Sequence, residues 1–488
     1  MVRQVEQRPV LFSLVRELLR SERLQEFAEA LPTRARVSEP ALPLLTAALH
    51  EHLGRALTIL VPEDADARDL AEAAGWFLGP ERVALLPSRG VRWDSGLQPP
   101  PHLVGERARA LDVLASGGLV FVSATALAEG MPPEDKRPAP IRIAPGEQPG
   151  IEALTESLAL AGYERVERAE DRGQFAVRGG LVDVFPTTGR EPLRVEFFGD
   201  EIEQVRSYSA FTQRALHDVD EATVYAAAER RLDLVEPTLR DDEDGTPSEP
   251  PRDLVSAVPR GVDAVWEIAE VRSVWEEEGL EPIGLRGVTE LEQLPSGQPF
   301  AFEAQRPALA ARGLSEAENE LTAFTRAGHR VVVAFPHRGE ALRTENLMRR
   351  VDAPVLEPGE ILPEDPAVRF AISPARRGFV WRDLNLVLLP DTQVFRKRAP
   401  RADATRIGRA LQSFADLRTG DYVVHEDHGV GKLIGFETKT VAGVTRDYLF
   451  LAFRGDDRLY VPHEQIGKVS RYIGVDAKSP ALSKLGGK

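Results

Sequence analysis

A phosphate-binding loop would be the most consequential chemistry this sequence could carry. It needs Gly-x-x-x-x-Gly-Lys-Ser/Thr, so that backbone N–H groups cradle the phosphates and a hydroxyl reaches magnesium. No such string occurs in the 488 residues. Gly429-Val430-Gly431-Lys432 matches for four residues, but Leu433 stands where the metal ligand should be, and the flanks predict a β-turn. Ser123-Ala124-Thr125 has the composition of a helicase Ser-Ala-Thr element; without a phosphate loop it reads as a strand end with polar capping. His425-Glu426-Asp427-His428 gathers four potential metal ligands. A zinc-binding His-Glu-x-x-His places its histidines four apart on a helix, whereas these are three apart between Val-Val and Gly, which predicts a solvated turn. No Gly-x-Ser-x-Gly elbow appears, and none of the nine histidines is marked as a base for a nucleophile. With zero cysteines, thiol catalysis, disulfides and Cys-ligated metals are excluded. No catalytic residue, cofactor or metal ligand is assigned in this chain.

Binding surfaces are better marked. Leu193, Val195 and Phe197 alternate with Arg194, Glu196 and Phe198, the period of a half-buried strand. Gly199-Asp200 fits a two-residue type II′ hairpin turn, and 201–208 is the return strand. In the strand 174–178, Phe175 and Val177 face the core and Arg178 points outward. An outward Phe198 near Arg178 and Arg194 has the composition of a protein–protein hot spot. The same pattern equally describes a phenylalanine covered by a neighbouring domain, with the arginines paired to Glu196 or Glu201. A second surface lies at 437–441, a β-branched and charged stretch. It reads as an edge that extends a partner's sheet, or as an edge simply protected by Lys439. The basic stretch 396–409 favours a solvated linker helix over a nucleic-acid contact.

Several domains must position these residues, because one hydrophobic core stops growing at roughly 250–300 residues. Up to about residue 123, strands at 56–61, 82–86 and 119–123 alternate with helices, which predicts a parallel sheet covered by helices. After the proline-rich 132–140, a small antiparallel domain is inserted or appended. The acidic 241–244 reads as a loop, a third α/β unit begins near Leu314, and short strands with Gly-rich turns from Gly420 predict an SH3-like or Tudor-like barrel. Apolar runs such as 386–389 are too short to cross a bilayer, and charged residues interrupt the N-terminal apolar stretch, so a cytoplasmic protein is expected. The 61 Lys+Arg against 77 Asp+Glu leave a net charge of −16, which disfavours a chain that mainly wraps nucleic acid.

Two motif blocks carry a family resemblance. Gly173-Gln174-Phe175-Ala176-Val177-Arg178-Gly179-Gly180-Leu181-Val182-Asp183-Val184-Phe185-Pro186, with Arg194-Val195-Glu196-Phe197-Phe198-Gly199-Asp200-Glu201-Ile202 and Thr212-Gln213-Arg214, resembles the UvrB-homology module of the transcription-repair coupling factors. Gly420-Asp421-Tyr422-Val423-Val424-His425, His428-Gly429-Val430-Gly431, Asp447-Tyr448-Leu449, Leu459-Tyr460-Val461-Pro462 and Leu482-Ser483-Lys484-Leu485-Gly486-Gly487 resemble their RNA-polymerase-interacting domain. The resemblance covers essentially the whole chain and is weakest before Leu57 and in 241–300.

The resemblance implies an α/β multidomain fold. Residues 1–138 and 223–304 would form a UvrB-like, degenerate P-loop-NTPase-like domain interrupted by an antiparallel α+β UvrA-binding domain at 139–222. A small α/β domain at 305–400, a linker helix at 401–417 and a CarD-like β-barrel at 418–488 would follow. It further implies that UvrA is bound through Arg178, Arg194 and Phe198, and that the RNA polymerase β subunit is gripped by strand pairing at Thr438, Lys439, Thr440 and Val441. Family members continue into a translocase that uses ATP and Mg and tracks double-stranded DNA. The expectation is therefore a monomeric scaffold that is a fragment, or else a short form, without that motor. A UvrB-like nucleotide-dependent helicase and a CarD-type transcription regulator are the alternatives.

Overall fold

The computed structural model describes residues 8–93, 95, 97–189, 191–210, 212–234, 251–293, 298–309, 311, 313–395, 422–425, 428–441, 444–455, 457–462 and 469–471. The acidic run 241–244, the basic stretch 396–409 and the expected linker helix 401–417 lie outside them.

Among the described residues, seven parallel strands form the first sheet, in the order 300–302, 34–37, 289–292, 264–266, 57–61, 119–123 and 83–86. Strands from both sides of the 139–222 stretch thus share one sheet. Leu57–Val61 and Leu119–Ser123 are buried along their whole length, as expected of a parallel strand with both faces covered. One face packs on the helices Phe12–Leu19, Leu42–Leu53 and Asp64–Leu78, and the other on Ala124–Glu129 and Ile268–Glu277. Ser123 caps Ala124–Glu129 by accepting from the N–H of Ala126 at 3.2 Å, so the Ser-Ala-Thr string is a helix cap.

The helix Leu42–Leu53 buries His50 to 3% exposure, and neither ring nitrogen has a hydrogen-bond partner. Burial first, then the charge of Arg82, lowers its pKa from 6.5 to about 4, while Glu51 pulls the other way. The folded state therefore holds His50 neutral. Between those two values only the unfolded chain takes up the proton, so stability falls as pH drops through that window and levels off below it. The loss amounts to about 3 kcal/mol. Urea midpoints at pH 7 and pH 4.5 should show this decrease, and His50→Leu should remove most of it; an unaltered pH dependence in the variant would refute the assignment.

The inserted body is a six-stranded sheet in the order 215–218, 201–208, 193–198, 181–185, 174–178 and 164–165, antiparallel except for the last pair. Phe175, Val182, Val184, Val195, Ile202 and Val205 build its core against the helix Ile151–Leu160. Ala222–Val224 pairs with Ile141–Ile143, which carries this body past the expected boundary at 222.

The third α/β unit has strands in the order 368–372, 330–335, 386–390 and 379–381, the last antiparallel. Val332, Ala334 and Trp381 join the core of the N-terminal helices, and Arg330 reaches Glu17 at 2.6 Å. Among the described residues, the terminal unit is a five-stranded antiparallel sheet in the order 458–462, 444–452, 429–441, 422–425 and 469–471. Gly429-Val430-Gly431-Lys432 opens one of its strands, and a Cβ on Gly431 would meet the Phe453 ring at 3.0 Å. No described helix is long and apolar enough to cross a membrane.

Candidate functional site

The strand Leu193–Phe198 carries the first site because its two faces differ. Leu193 and Val195 are buried and Phe197 packs on the same core, leaving 194, 196 and 198 on the opposite face. The register extends that face across the sheet. Leu181 pairs with Arg178 on one side and Glu196 on the other, and Asp183 pairs with Arg194. Arg178, Arg194 and Phe198 are thereby brought onto one face of one sheet. Phe198 stands at its end, where Gly199 takes φ 62° and the chain reverses in two residues. Within its own sheet it is 80% exposed.

The two arginines do different work. Arg194 donates from Nε at 2.7 Å and from Nη2 at 2.8 Å to the carboxylate of Asp183, a side chain only 3% exposed. This fork raises the Arg194 pKa, and the guanidinium also lies 4.6 Å from the Tyr208 ring centroid. Arg178 donates to the same carboxylate at 3.3 Å while half exposed. The expected partners Glu196 and Glu201 are engaged elsewhere, by Arg206 and Gln148. The reason is electrostatic: a buried carboxylate must be paired, whereas the partly exposed glutamates are hydrated. Asp183 escapes notice in the sequence, although its signal is there, an acid within the otherwise apolar strand Leu181–Phe185.

The second site is a backbone edge. Gly429–Val441 pairs with Tyr422–His425 only over 429–432, and with Val444–Ala452 out to its end. Val444–Ala452 meets Arg458–Pro462 only from Tyr448 onward. The ribbon of 437–441 and 444–447 therefore runs past its neighbours. No described strand pairs with the outer side of Thr438, Lys439, Thr440 or Val441. The side chains of these four residues lie outside the described part of the structure.

Other candidates lose their chemistry on inspection. The chain does turn between His425 and Gly429, but His425 is buried, 3% exposed with its ring 4.7 Å from that of His428, so this end of the turn is not solvated. The pairing of Val423 to His425 with 429–431 draws it inward; Glu426 and Asp427 are outside the described residues. Ser207 Oγ lies 2.9 Å from His217 Nδ1, but Glu191 faces that same nitrogen at 3.8 Å. A nucleophilic relay needs the acid on the other ring nitrogen, and Ser207 is only 2% exposed.

At the end of Leu57–Val61, where a phosphate loop would begin, two residues lead straight into the helix Asp64–Leu78. Glu63 and Asp66 cap that helix reciprocally, and Asp64 accepts from the Ser88 N–H at 2.8 Å and its hydroxyl at 2.5 Å. Carboxylates thus occupy the helix start that would otherwise attract an anion.

Two regions of the chain match known families. Residues 141–229 match the family described as UvrB interaction domain, and residues 417–473 match the CarD-like/TRCF RID domain. The chain as a whole is similar to transcription-repair-coupling factors. It is 28% identical to that of Mycobacterium bovis over 88% of this chain and 43% of the relative. It is 24% identical to that of Staphylococcus aureus (84% and 42%) and 22% identical to that of Bacillus subtilis (93% and 46%). The chain spans less than half the length of these relatives, and the similarity is consistent with their N-terminal half.

Proposed function

We propose that the chain is a scaffold with two docking surfaces. The inserted sheet recruits UvrA through Phe198 and Arg178, with Arg194 holding the face in shape. The terminal sheet, read as a CarD-like barrel, holds the RNA polymerase β subunit by pairing a strand with 438–441. Together they couple stalled transcription to nucleotide excision repair in the cytoplasm, with the chain acting as a monomer. The observation that carries this reading is the 80% exposure of Phe198 on the face shared with Arg178, inside the region matching the UvrB interaction domain.

No catalysis is assigned to this chain. The first sheet is read as a degenerate UvrB-like nucleotide fold, and the carboxylates at the Asp64–Leu78 helix start support that reading. ATP, magnesium and double-stranded DNA are assigned to a translocase outside these 488 residues.

Removing 418–488 should abolish capture of RNA polymerase and leave UvrA capture intact, measured by pull-down with each purified partner. Full retention of polymerase by the shortened chain would overturn the role of the terminal sheet.

A further inference from the structure

A concavity lies at the amino ends of Leu57–Val61, Ala264–Trp266 and Thr289–Glu292 in the first sheet. Doubly wound sheets place their ligands at the carboxyl ends of strands, so this cleft is not an inherited nucleotide position. Its volume is about 400 Å³, within the ordinary range for small-molecule sites. Leu49, Leu53, Val258, Leu285 and Val288 are among its apolar walls.

The charges of the lining are unlike those of the chain. Arg55, Arg260 and Arg286 face one acid, Asp263. That acid is already satisfied, accepting from Arg55 at 2.6 Å and from the N–H of Thr58 at 2.8 Å. Arg260 and Arg286 make no ion pair or hydrogen bond with any described residue, in a chain whose net charge is −16. Both are exposed, and three arginines against one acid give this lining a positive balance in an acidic chain, which favours an anion. The amides of Gly284, Leu285, Arg286 and Gly287 likewise make no hydrogen bond among the described residues, and they line the same cleft. Backbone donors beside arginine suit phosphate or carboxylate oxygens, and the leucine and valine walls suit an apolar body.

We propose that this cleft binds a small amphiphilic anion, an apolar group bearing one carboxylate or phosphate monoester, with Arg260 and Arg286 on the charged head. The test uses the full chain and 1-anilino-8-naphthalenesulfonate, an aromatic body with one fixed negative charge, read by its fluorescence. A single saturable site per chain is expected. Arg260→Glu with Arg286→Glu should weaken it at least about tenfold, a loss of about 1.4 kcal/mol. Gly284→Phe should block it, because Gly284 lines the cleft and a Cβ there meets nothing within 4 Å, so the bulk is added without a clash. Unchanged thermal unfolding of both variants shows that the fold is kept. Neutral N-phenyl-1-naphthylamine should bind the wild type and the charge-reversed chain alike.

Competition then identifies the head group. Displacement by octyl phosphate alone assigns a phosphate monoester, and displacement by octanoate as well assigns carboxylates too. Displacement by neither would overturn the proposal, as would dye binding that both variants leave untouched.

Discussion

Replacing Phe198 by alanine is expected to weaken UvrA binding by at least about thirtyfold, the loss of a hot-spot side chain worth roughly 2 kcal/mol or more. The unfolding profile should not move. With 80% of its surface in water, Phe198 contributes almost nothing to its own core, so its truncation should change stability by less than about 0.5 kcal/mol. The hairpin explains why the ring is held ready. Glu201 pairs with Phe198 across a two-residue turn, which fixes the backbone on both sides and lowers the ordering cost of docking. Calorimetric titration of UvrA into the variant measures the effect, and wild-type affinity would remove Phe198 from the interface.

Arg194→Ala should behave in the opposite way, acting first on the fold. Two of the three hydrogen bonds to the Asp183 carboxylate come from Arg194, and only Arg178 at 3.3 Å remains without it. Leaving a buried charge largely unpaired costs about 3–5 kcal/mol. Differential scanning calorimetry should therefore show the inserted domain melting more than about 10 °C lower, since 1 kcal/mol shifts a domain of this size by several degrees. UvrA binding would fall as a consequence. In a double-mutant cycle, Asp183→Ala and Arg194→Ala should be strongly non-additive, because each removes the same contact. Additive losses would show that the pair is not coupled and would return Arg194 to a direct contact role.

These two residues mark where the sequence is legible and where it is not. The alternation from Leu193 to Phe198 reports burial directly, because in a strand successive side chains take opposite faces. The continuous apolar run Leu57–Val61 likewise announces a buried parallel strand. What such patterns omit is the third dimension. Asp183 acquires its meaning from Arg194, a residue on the next strand, 11 positions on in sequence and directly opposite in register. The short strands Arg34–Val37 and Phe300–Phe302 pair with one another across more than half of the chain, and nothing local in four or three residues marks them. Val368–Ile372 and Phe379–Trp381 escape for the same reason.

The terminal edge is a related case. Composition suggested an edge at 437–441, yet the strand containing it is internal to the sheet along 429–432. Only the register, which lets the ribbon outrun its neighbours, leaves one side of Thr438 to Val441 without a partner strand among the described residues. The cleft at the amino strand ends was invisible in the sequence, because Arg55, Arg260 and Arg286 come together only when the loops after three separate elements converge.

The central claim is that one chain holds both partners at once. Purified RNA polymerase immobilised on a sensor surface, loaded with this chain and then exposed to UvrA, tests it most directly. A second binding step on UvrA addition is expected with the wild-type chain and should be absent with Phe198→Ala, although that variant loads normally. Polymerase that takes up the chain but never retains UvrA would contradict the account.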